Sequence, residues 1–173
     1  TSSYSVTGVQ TCALPIYIAD KRLADLAGLS VPNAALRLAT EAVSEKIPVV
    51  PQQGPLLITH WGLSGPAALR LSAWGARWLH ERQYRARVLV NWLNPLTTDK
   101  ALETLQRHKS LPENARKKPV AHVVFPEIPI RLWKRLVEAA GITENQNWAD
   151  VSKSSLRRSE ERRVGKECRT RWS

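Results

Sequence analysis

LLITHWGLSGPAALRL, Leu56 to Leu71, runs from a compact apolar stretch through a glycine-bearing loop into a helix, and the rest of the chain is read outward from it. Leu56 to His60 has the length of a strand. Gly62 and Gly65 give the loop backbone freedom, Ser64 is a good helix cap, and Pro66 suits a first helical turn, where a missing N–H costs nothing. The spacing predicts a helix from Pro66 to about Glu81. Leu71, Trp74, Gly75, Trp78 and Leu79 recur at i, i+3, i+4, i+7 and i+8 as one apolar stripe, with Arg70, Arg77 and Glu81 away from it.

Such a loop can carry chemistry, because unpaired main-chain N–H groups at a helix N-terminus attract phosphates, carboxylates or electron-rich rings. His60 and Ser64 add side-chain donors at the same place. Spacing alone leaves two readings open: a ligand site, or a capped strand-to-helix junction whose His60 only satisfies local hydrogen bonds. A phosphate-binding P-loop is excluded, since no Gly-Lys-Ser/Thr follows. The dinucleotide fingerprint is absent too, because no glycines stand at G-x-G-x-x-G spacing. Gly62-Leu63-Ser64-Gly65 resembles a nucleophile elbow only in part, with Pro66 where G-x-S-x-G needs glycine, so a serine hydrolase is a weak alternative. His60, His80, His108 and His122 form no HExxH pattern and have no cysteines nearby, so no metal site is expected.

Upstream, Tyr17 to Gly28 reads as the end of one element and a short helical turn closed by Gly28. Ala34 to Thr40 suggests a strand, although ALRLATEAV also fits helical periodicity. Pro48, Pro51 and Pro55 forbid a long helix between Ile47 and Leu57. Downstream, Arg87 to Leu93 is a strand bounded by Asn94 and Pro95. Thr98 is then expected to cap a helix over Asp99 to His108, with a break at Pro112 to Asn114 and a further helical stretch through Val120 to Phe125. Leu132, Trp133, Leu136, Val137 and Ala140 line a helix that Gly141 should stop, and Asp150 or Ser152 should begin a last one. Strands thus dominate the first half and helices the second.

The chain has 173 residues with 43% hydrophobic content, enough for a core. No apolar run has the length of a membrane helix, and no signal peptide is evident. A cytoplasmic protein without membrane partners is expected. Met is absent, and the end stretches SVTGVQTCALPI (Ser5–Ile16) and RSEERRVGKECRTRW (Arg158–Trp172) resemble translated sequencing-adapter sequence. Residues 1–16 and 158–173 are therefore expected to be non-native. The second tail holds six Lys/Arg against three Asp/Glu, so the net charge of +11 becomes +8 without it. Both cysteines, Cys12 and Cys168, lie in these tails, which leaves none for a disulfide, metal or nucleophile in between. The basic residues Arg82, Arg85 and Arg87 around Tyr84, and Arg116 to Lys118, make a nucleic-acid-binding module an alternative function. Their interleaving with apolar core positions reads better as a solvated face, and no nucleic-acid partner is expected.

LLITHWGLSGPAALRL resembles the T-H-x-G-x-S-G-P hallmark of the YhiN-like flavoproteins, also called the BaiN or aminoacetone oxidase family. LADLAGLSVPNAALRL (Leu23–Leu38), VLVNWLNP (Val88–Pro95), IPIRLWKRLVEAAGI (Ile128–Ile142) and WADVSK (Trp148–Lys153) resemble further segments in the family's order, so the likeness spans residues 17–157. One mild departure is Ser155, where an acidic capping partner of Ser152 would be expected. Family members are FAD-dependent oxidoreductases with a Rossmann-type FAD-binding domain into which a β-barrel and a small helical domain are inserted.

The resemblance implies an α+β fold: a small antiparallel β-barrel-like insert domain with one long helix over 17–97 and a helical subdomain over 98–157, the FAD-binding Rossmann-type domain missing. The parent enzyme would use FAD, and NAD(P) as a linked electron carrier, on a small-molecule substrate, with the missing domain of the same chain as partner. The fragment alone is expected neither to bind FAD nor to be active. His60 and Ser64 are the candidate catalytic residues, and Thr59, Gly62 and Gly65 the candidate cofactor-binding ones.

Overall fold

The computed structural model describes residues 16–17, 23, 25–39, 47–84 and 86–152. The tails expected at residues 1–16 and 158–173, Ile16 excepted, lie outside that set, as do Ser155 and any helix beyond Ser152. Five strands form one antiparallel sheet among the described residues: β1 (Ile16–Tyr17), β2 (Ser30–Ala39), β3 (Gln52–Ile58), β4 (Gly62–Ser64) and β5 (Arg87–Asn91), in the spatial order β1-β4-β3-β2-β5. Three helices accompany it: α1 (Pro66–His80), α2 (Thr98–Ser110) and α3 (Ile130–Ala139). This is the small α+β, barrel-like class that the sequence led one to expect.

Alternation explains the strands. Val88 and Val90 of β5 are buried while their neighbours are half-buried, and Ala34, Leu36 and Leu38 of β2 point into the same core. The strand reading of residues 34–40 therefore holds over 34–39, with Thr40 outside the described residues, but β2 begins earlier, at Ser30, and runs through Pro32. The register explains how. Val31 pairs with Leu56 and Ala34 with Gly54, so the ladder shifts between them. Pro32 and Pro55 both fall in that irregular step, where a missing N–H breaks no ladder hydrogen bond. Side chains close the gap: the Asn94 amide donates to Asn33 Oδ1 (3.0 Å) and Gln53 Oε1 (3.2 Å), and Asn33 donates back to the Asn94 carbonyl (3.2 Å).

Helix α1 lies on β2 and β3. Its contact face is small-residue rich: Ala67, Ala68, Ser72 and Gly75 are buried along with Leu71, Trp78 and Leu79. A Cβ on Gly75 would stand 3.0 Å from Leu38 Cδ1, so glycine spares the Leu38 side chain a shift where the helix packs on the sheet. That packing corrects one expectation. Trp74 is 73% exposed and stands outside the core, because the buried arc is centred on Leu71 and Gly75 and a large ring at its border is squeezed out. Trp78 does point inward, 6% exposed, with the Arg82 guanidinium 4.1 Å from the centroid of its ring. Ser64 is not the cap either. It belongs to β4, Gly65 occupies the N-cap position without a side-chain bond, and Pro66 opens the helix as expected.

In the second half, Thr97 rather than Thr98 caps α2, its hydroxyl accepting from the Lys100 N–H at 3.5 Å. A tight 3-10 turn, Pro112–Asn114, follows. Residues 120–125 are turns and bends, not a helix, since Pro119 and Pro126 leave too few residues between them for successive i to i+4 bonds. Val120 and Phe125 are nevertheless buried. Helix α3 stops as its sequence predicts: Gly141 takes φ +82° and its N–H bonds to the Glu138 carbonyl at 2.9 Å. Trp133, fully buried in α3, donates its indole N–H to the Pro119 carbonyl at 2.7 Å and so ties the helix to the irregular segment. At the expected start of the last helix, Trp148–Asp150 forms a 3-10 turn that Asn147 and Asp150 cap reciprocally, and a helix beginning at Ser152 would lie outside the described residues.

Candidate functional site

The strand read as Leu56 to His60 ends at Ile58, and the loop after it is the turn of a hairpin between β3 and β4. Thr59 and Gly62 close that turn. The Thr59 N–H donates to the Gly62 carbonyl (2.7 Å), the Gly62 N–H donates to the Thr59 carbonyl (3.3 Å) and to Thr59 Oγ1 (3.1 Å), and the hydroxyl donates to the Gly62 carbonyl (3.2 Å). The Trp61 N–H also reaches Thr59 Oγ1, at 3.4 Å. The N–H, carbonyl and hydroxyl of Thr59 are thus all consumed locally, and His60 and Trp61 are left as the two-residue tip. His60 is exposed and Trp61 is 71% exposed.

Ser64 and Gly65 sit at the other end of β4, where the chain enters α1. Gly65 takes φ +94°, and a Cβ there would stand 2.9 Å from the Pro55 carbonyl oxygen and 3.2 Å from the Leu57 nitrogen. Gly65 is therefore pressed against β3, and its carbonyl accepts the Leu69 N–H at 3.0 Å to start the helix. Ser64 is half-buried. Among the described residues neither the Ser64 hydroxyl nor the His60 ring is engaged in a hydrogen bond. Trp61, Gly62 and Leu63 lie between the two, and the fold brings Thr59, His60 and Gly62 together in one turn and Ser64 and Gly65 together at the helix entrance. No serine–histidine pair forms, which removes the support for a Ser64 hydrolase.

Trp61 was not singled out from sequence, although the signal was present. In T-H-W-G, with Thr59 and Gly62 closing the turn, the two central residues must project from the sheet. No group of three His, Cys, Asp or Glu side chains that could hold a metal ion exists among the described residues.

Residues 11–159 match the model of the HI0933-like protein barrel and H2TH domain family. The chain belongs to that family. It is a family of the FAD-dependent, YhiN/BaiN-like oxidoreductase group, and the chain fits an internal piece of such a flavoprotein. A search of curated proteins gave no match. No helix among the described residues is long and apolar enough to cross a membrane.

FAD is the group this membership implies, and its diphosphate needs a cradle of outward-facing main-chain N–H groups on a glycine-rich strand-to-helix turn. Among the described residues the hallmark segment does not build one. Gly65 faces β3, the Thr59 and Gly62 polar groups bond to each other, and Pro66 removes one N–H from the start of α1. What remains open is the His60 imidazole, the Trp61 indole and the Ser64 hydroxyl. The first two stand at the hairpin tip and the third at the helix entrance, so these side chains are free to meet a ring or a substrate but do not hold a nucleotide.

Proposed function

We propose that this chain is the inserted barrel and helical domain, with units at 17–97 and 98–157, of an FAD-dependent, NAD(P)-linked oxidoreductase. The parent enzyme passes electrons through its flavin to or from a small organic substrate. The observation that carries the reading is the family match over residues 11–159, in which the hallmark segment exposes His60 and Trp61 at a hairpin tip. A solvent-facing Trp61 beside an exposed His60 is what a surface meeting the FAD-binding domain would present.

In this proposal Thr59, Gly62 and Gly65 hold the wall in shape, through the hairpin closure and the packing on β3, and border the flavin through their main chain. His60 positions the substrate or polarises its carbonyl, and Ser64 adds a hydroxyl donor at the helix entrance. FAD, when bound by the remainder of the parent protein, supplies the redox chemistry. The test is to replace His60 and Ser64 by Ala at the matching positions of a full-length homologue and to measure flavin content and turnover. Reduced turnover with flavin retained supports the proposal; both quantities unchanged in both variants refutes it.

A further inference from the structure

The helical half holds a cluster that the flavin reading does not use. His108, in the last turn of α2, stacks on His122 with ring centroids 4.9 Å apart and planes 24° from parallel. It also meets the buried Trp148 ring edge-on at 5.2 Å. Three segments distant in sequence are thus stapled by aromatic contact: the end of α2, the irregular stretch around His122, and the final 3-10 turn. Two main-chain bonds reinforce the staple, from Trp148 N–H to the Lys117 carbonyl (2.9 Å) and from Ala149 N–H to the Ala115 carbonyl (3.1 Å).

The hydrogen-bond directions in this cluster are forced. Lys117 Nζ can only donate, and it lies 2.7 Å from Asn114 Oδ1, so that oxygen is the acceptor and the amide orientation of Asn114 is fixed. The Asn114 NH₂ then donates to the His108 carbonyl (3.1 Å) and to His108 Nδ1 (3.3 Å). Asn114 is 3% exposed, so its amide is held inside this cluster. Nδ1 is then the acceptor, which puts the proton of the neutral ring on Nε2, a buried nitrogen with no hydrogen-bond partner among the described residues. A second proton would place two N–H donors against each other at Asn114 and a cation face to face with His122.

We propose that His108, held neutral between Asn114 and His122, is a pH-sensitive latch: it keeps the final turn docked when unprotonated and releases it on protonation. The charged and titratable groups around it come from every packed element. His122 comes from the irregular stretch, while Lys117 and Glu113 come from the segment after α2. Lys109 of α2 itself donates to the Val151 carbonyl, and Asp150 of the final turn is taken up by the Asn147 N–H at 3.3 Å. The balance favours the neutral ring. Burial, then His122, then Lys117 hold His108 below its ordinary 6.5, against an opposing pull from Glu113. With the folded value depressed, the unfolded or undocked form binds the extra proton more readily. The latch's contribution is therefore complete above the ordinary value and is lost as pH falls through the folded one.

The test is hydrogen exchange by NMR on the whole chain between about pH 7.5 and pH 5.5, corrected for intrinsic exchange, together with the titration of the His108 ring. The expected result is that protection of the Trp148 and Ala149 amides is lost in step with protonation of His108, while the Ile58 amide, bonded to the Leu29 carbonyl in the sheet, keeps its protection. His108→Gln, which offers Asn114 a carbonyl that does not titrate, should abolish the pH dependence. If that variant does not fold, His122→Phe retains a ring and removes a like charge; the His108 titration and the loss of protection should then move upward in pH together. Protection that is independent of pH, that falls equally at Ile58, or whose midpoint does not follow His108 in the His122→Phe chain would overturn the proposal.

Discussion

Replacing Gly65 by Ala isolates a geometric cause at the centre of the hallmark segment. The backbone there has φ +94° and ψ 168°, a region populated essentially by glycine alone, and holding an L-residue in it costs about 1–3 kcal/mol. A second cost adds to this. The new Cβ would lie 2.9 Å from the Pro55 carbonyl oxygen and 3.2 Å from the Leu57 nitrogen, both main-chain atoms of β3 that cannot swing aside. Relieving that overlap means moving α1 off the sheet, for about another 1–3 kcal/mol. The total of about 2–6 kcal/mol is a large share of the about 5–15 kcal/mol by which a domain is stable. With a urea slope of about 2 kcal/mol per molar, the unfolding midpoint should fall by about 1–3 M.

The control is Gly28→Ala. Gly28 also has positive φ, +87°, but a Cβ there meets nothing within 4 Å, so only the backbone strain remains. Urea unfolding of both variants, followed by circular dichroism, should show Gly65→Ala falling further than Gly28→Ala. Equal midpoints would refute the claim that close approach to β3 is what reserves position 65 for glycine.

Two further outcomes follow from the same structure. Trp78→Ala should cost about 3–5 kcal/mol in urea unfolding, and Trp74→Ala only about 0.5 kcal/mol or less, because the first empties a buried site under Arg82 and the second trims an exposed ring; similar losses for both would contradict the placement of α1. Asp25 accepts hydrogen bonds from the Arg135 guanidinium at 3.1 and 3.2 Å, and that contact holds its carboxyl below the ordinary 3.8. Its lowered folded value means that the stabilisation is present above the ordinary value and is lost as pH falls through the folded one. The small difference in midpoint between the chain and Asp25→Asn should therefore vanish in acid, and in high salt as well, since the pair is exposed.

Local chemistry made much of the fold legible from sequence. Pro66 and the apolar spacing marked α1, Gly141 marked the end of α3, and alternation marked β5 to within two residues, because each signal depends on backbone restrictions or face periodicity that act within a few residues. The hallmark segment was legible as a place where chemistry could sit, and its family followed from the order of the segments around it. Trp74 shows where periodicity runs out. Its spacing is that of a core residue, yet how near α1 approaches the sheet at Gly75 and Leu38 sets the border of the buried arc.

The tertiary structure alone decided the rest. A strand as short as β4 has no periodicity of its own and exists because Leu57 and Ile58 offer it a ladder. Val120 to Phe125 has the composition of a short helix, but the flanking prolines and the anchoring of Trp133 to Pro119 impose turns. His108 and His122 are unremarkable in sequence and become a stacked pair only when α2 and the following segment fold back on each other. By itself the sequence determined which residues could break, cap or line an element, since those properties belong to single side chains. Which glycine is pressed against a neighbouring strand, which tryptophan meets solvent and which histidines share a site are properties of distances between segments, and only packing sets them.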